Sequence, residues 1–173
     1  MQPQPIPLEP PDRFHLNAAE GWLGLGDSAS AAHELEQISP PGRGHPAILL
    51  VQCRIHMARK KWESLVQTAE RVVRDFPGLH EAWVDRSYGL HEMKRTQEAF
   101  DALLPASGLF PKIWVIPYNL SCYCAQAGRL REALEWLETA IVLGGENDIR
   151  SQALEDPDLK PLWKQIRPDA TTS

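Results

Sequence analysis

Cys122 and Cys124 stand one residue apart in a 173-residue chain with only one further cysteine, Cys53. On a helix, residues so spaced point about 200° apart and cannot share a ligand. No CxxC or HExxH spacing brings partners to them, and Cys53 and His80 lie in other segments, so neither a metal site nor a disulfide framework is expected. The six histidines are scattered singly. His91 has no cysteine or serine partner to make a catalytic set. The chain lacks GxGxxG, GxxxxGK(S/T) and GxSxG, and Gly24 and Gly26 read as turn glycines beside an acidic residue rather than a phosphate cradle. The basic run Arg59, Lys60, Lys61 is short and reads as the solvated surface of a turn. The expectation is a protein without catalytic site, metal or cofactor.

Apolar residues make up 43% of the chain and charged residues 24%, the balance of an ordinary globular protein with one sizeable core. The net charge of −5 argues against a duplex nucleic-acid binder, which carries a basic stripe. No apolar run reaches the roughly 18 residues of a membrane span. The opening MQPQPIPLEPPDR lacks the basic flank and apolar core of a secretory signal. An odd number of cysteines suits a reducing compartment. A cytoplasmic protein that binds neither membrane nor nucleic acid is expected.

The elements that must position any functional side chain are helices. The block from Trp114 to Gly145 reads as one helical hairpin, with a breaker at Gly128 and a second helix from Leu130 to Leu143. Ala133, Leu137 and Ala140 recur there at helix-stripe spacing. Stepping back from Gly128 in strides of 34 residues reaches Lys94, Lys60 and Gly26. The same stride gives four apolar or small columns: Ala31, Leu65, Ala99, Ala133; Leu35, Ala69, Leu103, Leu137; Ile38, Val72, Ala106, Ala140; and Ala19, Cys53, Ser87, Ser121. Arg43, Pro77, Pro111 and Gly145 close the four units without insertion or deletion.

This pattern resembles the tetratricopeptide repeat, a 34-residue helix pair that buries its apolar face only by stacking. The resemblance implies an all-α fold: a right-handed superhelical solenoid of four antiparallel hairpins at 12–45, 46–79, 80–113 and 114–147. A Pro-rich tail (1–11) precedes it, and a capping helix (148–167) and a polar tail (168–173) follow. Ile6 and Leu8 could dock the first tail against the helices. Ser28 or Ser30 and Thr96 are candidate N-caps, and Asp156-Pro157 is another, with proline at the first helical position. Pro105 is expected to kink or shorten its helix, and Pro117 to delay its own. Pro161 is expected to hold back the regular part of the cap. The family's tryptophan position is met by Trp83 alone, with His15, Leu49 and Pro117 elsewhere, and Gln52 and Arg86 stand in a column usually leucine.

In this family the first helices line a groove. Carried over by register, its lining includes Asn17 and Glu20, then Arg54 and Met57, then Asp85, Tyr88 and His91, then Tyr118, Asn119 and Cys122. Leu16, Leu50, Val51, Val84 and Val115 join them, although burial between adjacent first helices competes for the aliphatics. The mixture suits an extended peptide. It does not make a carboxylate clamp for chaperone tails, since Glu81 and Asp85 would repel one. The implied function is a non-catalytic module binding a protein or peptide of unknown identity. The alternative is a scaffold that self-associates, its groove or end faces filled by its own Pro-rich tail or by a second copy.

Overall fold

The computed structural model describes residues 7–167 and divides the chain into two compact units, Met1–Gly89 and Leu90–Ser173. The first holds α1 (Asp12–Gly24), α2 (Ser28–Glu36), α3 (Pro46–Ala58), α4 (Trp62–Asp75) and most of α5 (His80–Glu92). The second holds α6 (Thr96–Leu109), α7 (Val115–Gln126), α8 (Leu130–Gly144), α9 (Glu146–Glu155), a 3-10 stretch (Pro157–Leu162) and α10 (Trp163–Ile166). Among the described residues there is no strand, and no helix is long and apolar enough to cross a membrane. Within each unit successive helices pack as hairpins: α1 on α2, α3 on α4, α7 on α8.

The 34-residue stride has a backbone cause. Gly26, Lys60, Lys94 and Gly128 all take left-handed φ, at 79°, 53°, 64° and 77°. At each, the next residue's N–H donates five residues back: Asp27 to the Trp22 carbonyl, Lys61 to His56, Arg95 to Leu90 and Arg129 to Cys124, at 2.9–3.0 Å. The helices therefore end in four copies of one C-terminal cap that satisfies their last carbonyls. Lysine adopts this conformation at a steric cost that glycine avoids. Lys60→Gly and Lys94→Gly are each expected to stabilise by about 0.5 kcal/mol, and Gly128→Ala to destabilise by about 1 kcal/mol, read from denaturation midpoints.

The small and apolar columns form the core. Fifteen of their sixteen members are buried, and Leu35 is half-buried. The two serines hide their hydroxyls by donating to backbone carbonyls, Ser87 to Val84 at 2.8 Å and Ser121 to Ala133 at 2.7 Å. Arg86 fills its unusual column by laying its guanidinium over the Trp83 ring at 5.1 Å. In the first unit Leu8 packs against the core of Leu16, Ala19, Ala31 and Ile38. Its expected partner Ile6 lies outside the described residues, as do the rest of residues 1–6 and the tail from 168 onward.

Several local expectations change. The cap of α2 is Asp27, whose carboxylate accepts from the N–H groups of Ala29 and Ser30 at 3.1 and 2.9 Å, rather than Ser28 or Ser30. Thr96 lies inside α6 and turns its hydroxyl to His91 instead of capping. α6 runs unbroken through Pro105, which faces solvent with Asp101, whose carbonyl loses its helical donor. α7 starts at Val115, so Pro117 falls in a first turn whose N–H groups have no helical partner anyway. The cap is three pieces rather than one helix. Asp156 ends α9 and caps the next turn, while Pro157 and Pro161 remove the donors that an α-helix would need there.

Candidate functional site

In the first unit the positions read from the register are Asn17 and Glu20 on α1, Arg54 and Met57 on α3, and Asp85 and Tyr88 on α5. Asn17, Glu20 and Arg54 are exposed. Glu20 and Arg54 occupy equivalent positions of α1 and α3 and pair at 3.5 Å, each about half exposed, which leaves both guanidinium and carboxylate largely available. One helix further on, Asp85 is half-buried. Burial, then the neighbouring charge of Glu81, pushes its carboxyl up to about 7, against the opposing pull of Arg54. Met57 and Tyr88 pack over Cys53, Leu65 and Ala69. The Tyr88 ring meets Trp62 edge-on at 5.8 Å, which fixes it as a half-buried aromatic wall. Of the aliphatics, Leu16 and Val51 are core, with 8% and 2% exposure, whereas Leu50 and Val84 stay half-buried.

The second unit treats the equivalent positions differently. His91, Tyr118 and Cys122 were expected to line the groove, yet they are buried beneath the chain's own segment Asp156–Leu159. The Tyr118 hydroxyl donates to Asp156 at 2.9 Å, and the Cys122 thiol lies 3.7 Å from the same oxygen. His91 Nε2 sits 3.0 Å from the Asp158 carboxylate, while its Nδ1 meets the Thr96 hydroxyl at 3.0 Å. The Gln126 amide donates to the Asp158 carbonyl at 2.8 Å. A short peptide with two aspartates thus already occupies this face. Of the groove positions expected there, Val115 and Asn119 are half-buried and keep part of their surface.

The three thiols are free and buried. Desolvation raises each of them, Cys124 to about 12, and Asp156 and Asp158 push Cys122 further. Groups so protonated at neutral pH are poor nucleophiles and poor metal ligands. Among the described residues no group of three or more His, Cys, Asp and Glu side chains could hold a metal ion.

Sequence reasoning missed the filling of the second unit's face, although Asp156-Pro157 was visible as a cap within the segment that fills it. It also missed Asp12, whose carboxylate accepts from the Ser39 N–H at 2.9 Å and the Ser39 hydroxyl at 2.5 Å, and is held low by those bonds. This pair ties the start of α1 to the loop after α2.

Hairpins of 34-residue period with one recurrent cap define a helical-repeat protein, and the chain has the tetratricopeptide-type fold. Among solved structures it is similar to TTC0263, a thermophilic TPR protein of Thermus thermophilus, with 16% identity, coverage of 90% of this chain and 82% of that one, and a TM-score of 0.75. It is similar to PilF of Pseudomonas aeruginosa, with 18% identity, 89% and 68% coverage, and a TM-score of 0.74. A structure of MamA gives 17% identity, 90% and 87% coverage, and a TM-score of 0.70. At these identities the likeness is one of fold. No protein-family model matches the chain, and no curated protein matches it.

Proposed function

We propose that the protein is a non-catalytic interaction module that binds an extended peptide along the first helices of its N-terminal unit. The Glu20–Arg54–Asp85 row, backed by Met57 and Tyr88, carries this reading. It combines accessible charges of both signs with an aromatic wall and a carboxyl short of counter-charge. The Glu81 and Asp85 pair that would repel a carboxylate tail suits a lysine or arginine, which would let Asp85 ionise. Asn17 would add an amide for the partner's backbone. Asn119 is the remaining candidate in the second unit. The tetratricopeptide fold supports a protein-binding role in general. Three unpaired cysteines support a reducing, cytoplasmic setting.

The test is affinity capture from source lysate with Arg54→Glu combined with Tyr88→Ala, against wild type. The double variant is expected to lose the captured partners while keeping its helical circular dichroism. An unchanged partner set from the folded variant would rule the face out. Tyr118 is not a useful probe, because its replacement would disturb the packing of Asp156. The scaffold alternative draws on Leu8, which already packs in cis against the first hairpin's core. Removing residues 1–11 and measuring mass in solution separates the two readings.

A further inference from the structure

A second site lies on the other side of α3. Residues 48, 52, 55, 56 and 59 fall about 100–200° around the helix from Arg54, so they face away from the proposed peptide row. Between α2, α3 and α4 they bound a cavity of about 510 Å³. Its floor is apolar, with Leu35, Ile48 and Ile55 among its lining. Its lining also holds four cations, Arg43, Arg59, Lys61 and Arg71, against one carboxylate, Glu36. In a chain of net charge −5 this is a local reversal of sign.

The cations are not consumed by internal pairing. Among the described residues neither Arg59 nor Lys61 has an ion-pair or side-chain hydrogen-bond partner given by the structure. Arg71 meets Asp75 only at 3.8 Å. Arg43 is held by carbonyls, donating to Ile38 at 3.1 Å and Glu36 at 3.5 Å, so its guanidinium is positioned without being neutralised by a carboxylate. Glu36 itself is shared with His33 at 3.4 Å. Burial, then Lys61 and Arg59, holds the His56 imidazole below its ordinary value, which reports the same positive field inside the cavity.

We propose that this cavity binds an acidic segment of a partner protein, an apolar side chain entering the Leu35–Ile48–Ile55 floor between carboxylates that meet Arg43, Arg59, Lys61 and Arg71. A cavity of this volume is the size of a ligand pocket rather than of a single anion. A bare phosphate has no use for the aliphatic floor, and a nucleotide base would find no Phe, Tyr or Trp in the lining to stack on.

The probe is a fluorescein-labelled octapeptide of alternating glutamate and leucine, read by anisotropy against the full chain. Wild type is expected to bind it and to bind a serine-for-leucine peptide about fivefold more weakly. Arg59→Glu with Lys61→Glu, both at exposed positions, is expected to weaken binding about tenfold or more. Arg54→Glu with Tyr88→Ala is expected to leave it unchanged, which separates this site from the peptide row. Equal affinity in the Arg59–Lys61 variant, equal binding of the leucine-free peptide, or loss of binding only in the Arg54–Tyr88 variant would each overturn the proposal. So would preference for inorganic tripolyphosphate over the peptide, or no peptide binding up to about 1 mM.

Discussion

Replacing Leu159 by alanine is expected to lower the unfolding free energy by about 3 kcal/mol and the melting temperature by roughly 6–12 °C. Leu159 is fully buried in the 3-10 stretch that packs chiefly on α7. Leu162, also fully buried, lies one turn further along the same stretch. Its position is over-determined: Asp156 caps the turn through the Asp158 N–H at 2.9 Å, and Pro157 fixes the entry. A cavity there cannot be refilled by a small shift of the segment, so the cost belongs with rigid core sites. The same change is expected to speed alkylation of Cys122, which wild type hides under Asp156. Cys53 and Cys124 serve as internal controls. Faster labelling of Cys122 alone means that the segment opens locally; simultaneous labelling of all three means global unfolding. Wild-type melting with Cys122 still protected would show that Leu159 does not anchor the segment on α7. Asp156→Asn keeps the shape but replaces the acceptor of the Tyr118 hydroxyl bond by a neutral group. A smaller loss of about 1 kcal/mol is expected from it.

The hairpins were legible because their packing is local and periodic. A residue such as Ala133 is small for the same reason as Ala31, and one turn geometry recurs every 34 residues whether glycine or lysine supplies it. Those constraints act within a hairpin or between neighbours, so a single sequence repeats them. The filling of the second unit's face obeys no such period. His91 meets Asp158 across 67 residues, from a segment outside the register, and nothing in the spacing of either residue announces the other. Residue position misled there as well: Cys122 belongs to the same column as the exposed Glu20 and Arg54 of the first unit, and the covering segment distinguishes it. The basic cavity was hidden differently. Arg59 and Lys61 read as a solvated turn and Arg43 as the close of a repeat, Arg71 carried no signal, and their convergence depends on how α2, α3 and α4 pack. The expectations for Pro105 and Pro117 failed because position within the helix decides the cost, whereas Pro161 does hold the regular helix back to Trp163. Pro117 lies where no donor was needed, and Pro105 faces water.

Asp85→Asn is expected to remove most of a stability loss that wild type suffers between about pH 4 and pH 7, and to leave the variant more stable at pH 8 by on the order of 2–4 kcal/mol. The carboxyl is raised from 3.8 to about 7, first by burial and then by Glu81, with Arg54 pulling the other way. In that window the folded chain keeps a proton that the unfolded chain has released. Stability therefore falls as pH rises, and the advantage present below about 4 is gone once pH passes about 7. The carboxylates of Asp12, Asp27, Glu34, Asp75 and Glu98 are lowered instead, so their contributions change at the acid edge of the window and below it, and they cancel in the comparison with the variant. Denaturation midpoints at pH 5, 6, 7 and 8 test this; parallel curves for wild type and variant would refute it. The penalty also identifies what the site lacks. A partner's lysine or arginine set between Glu81 and Asp85 would supply the missing counter-charge, and binding at pH 6 would then release a proton. Calorimetry of a bound basic peptide in two buffers of different ionisation enthalpy reads that proton directly, and Asp85→Asn should abolish it.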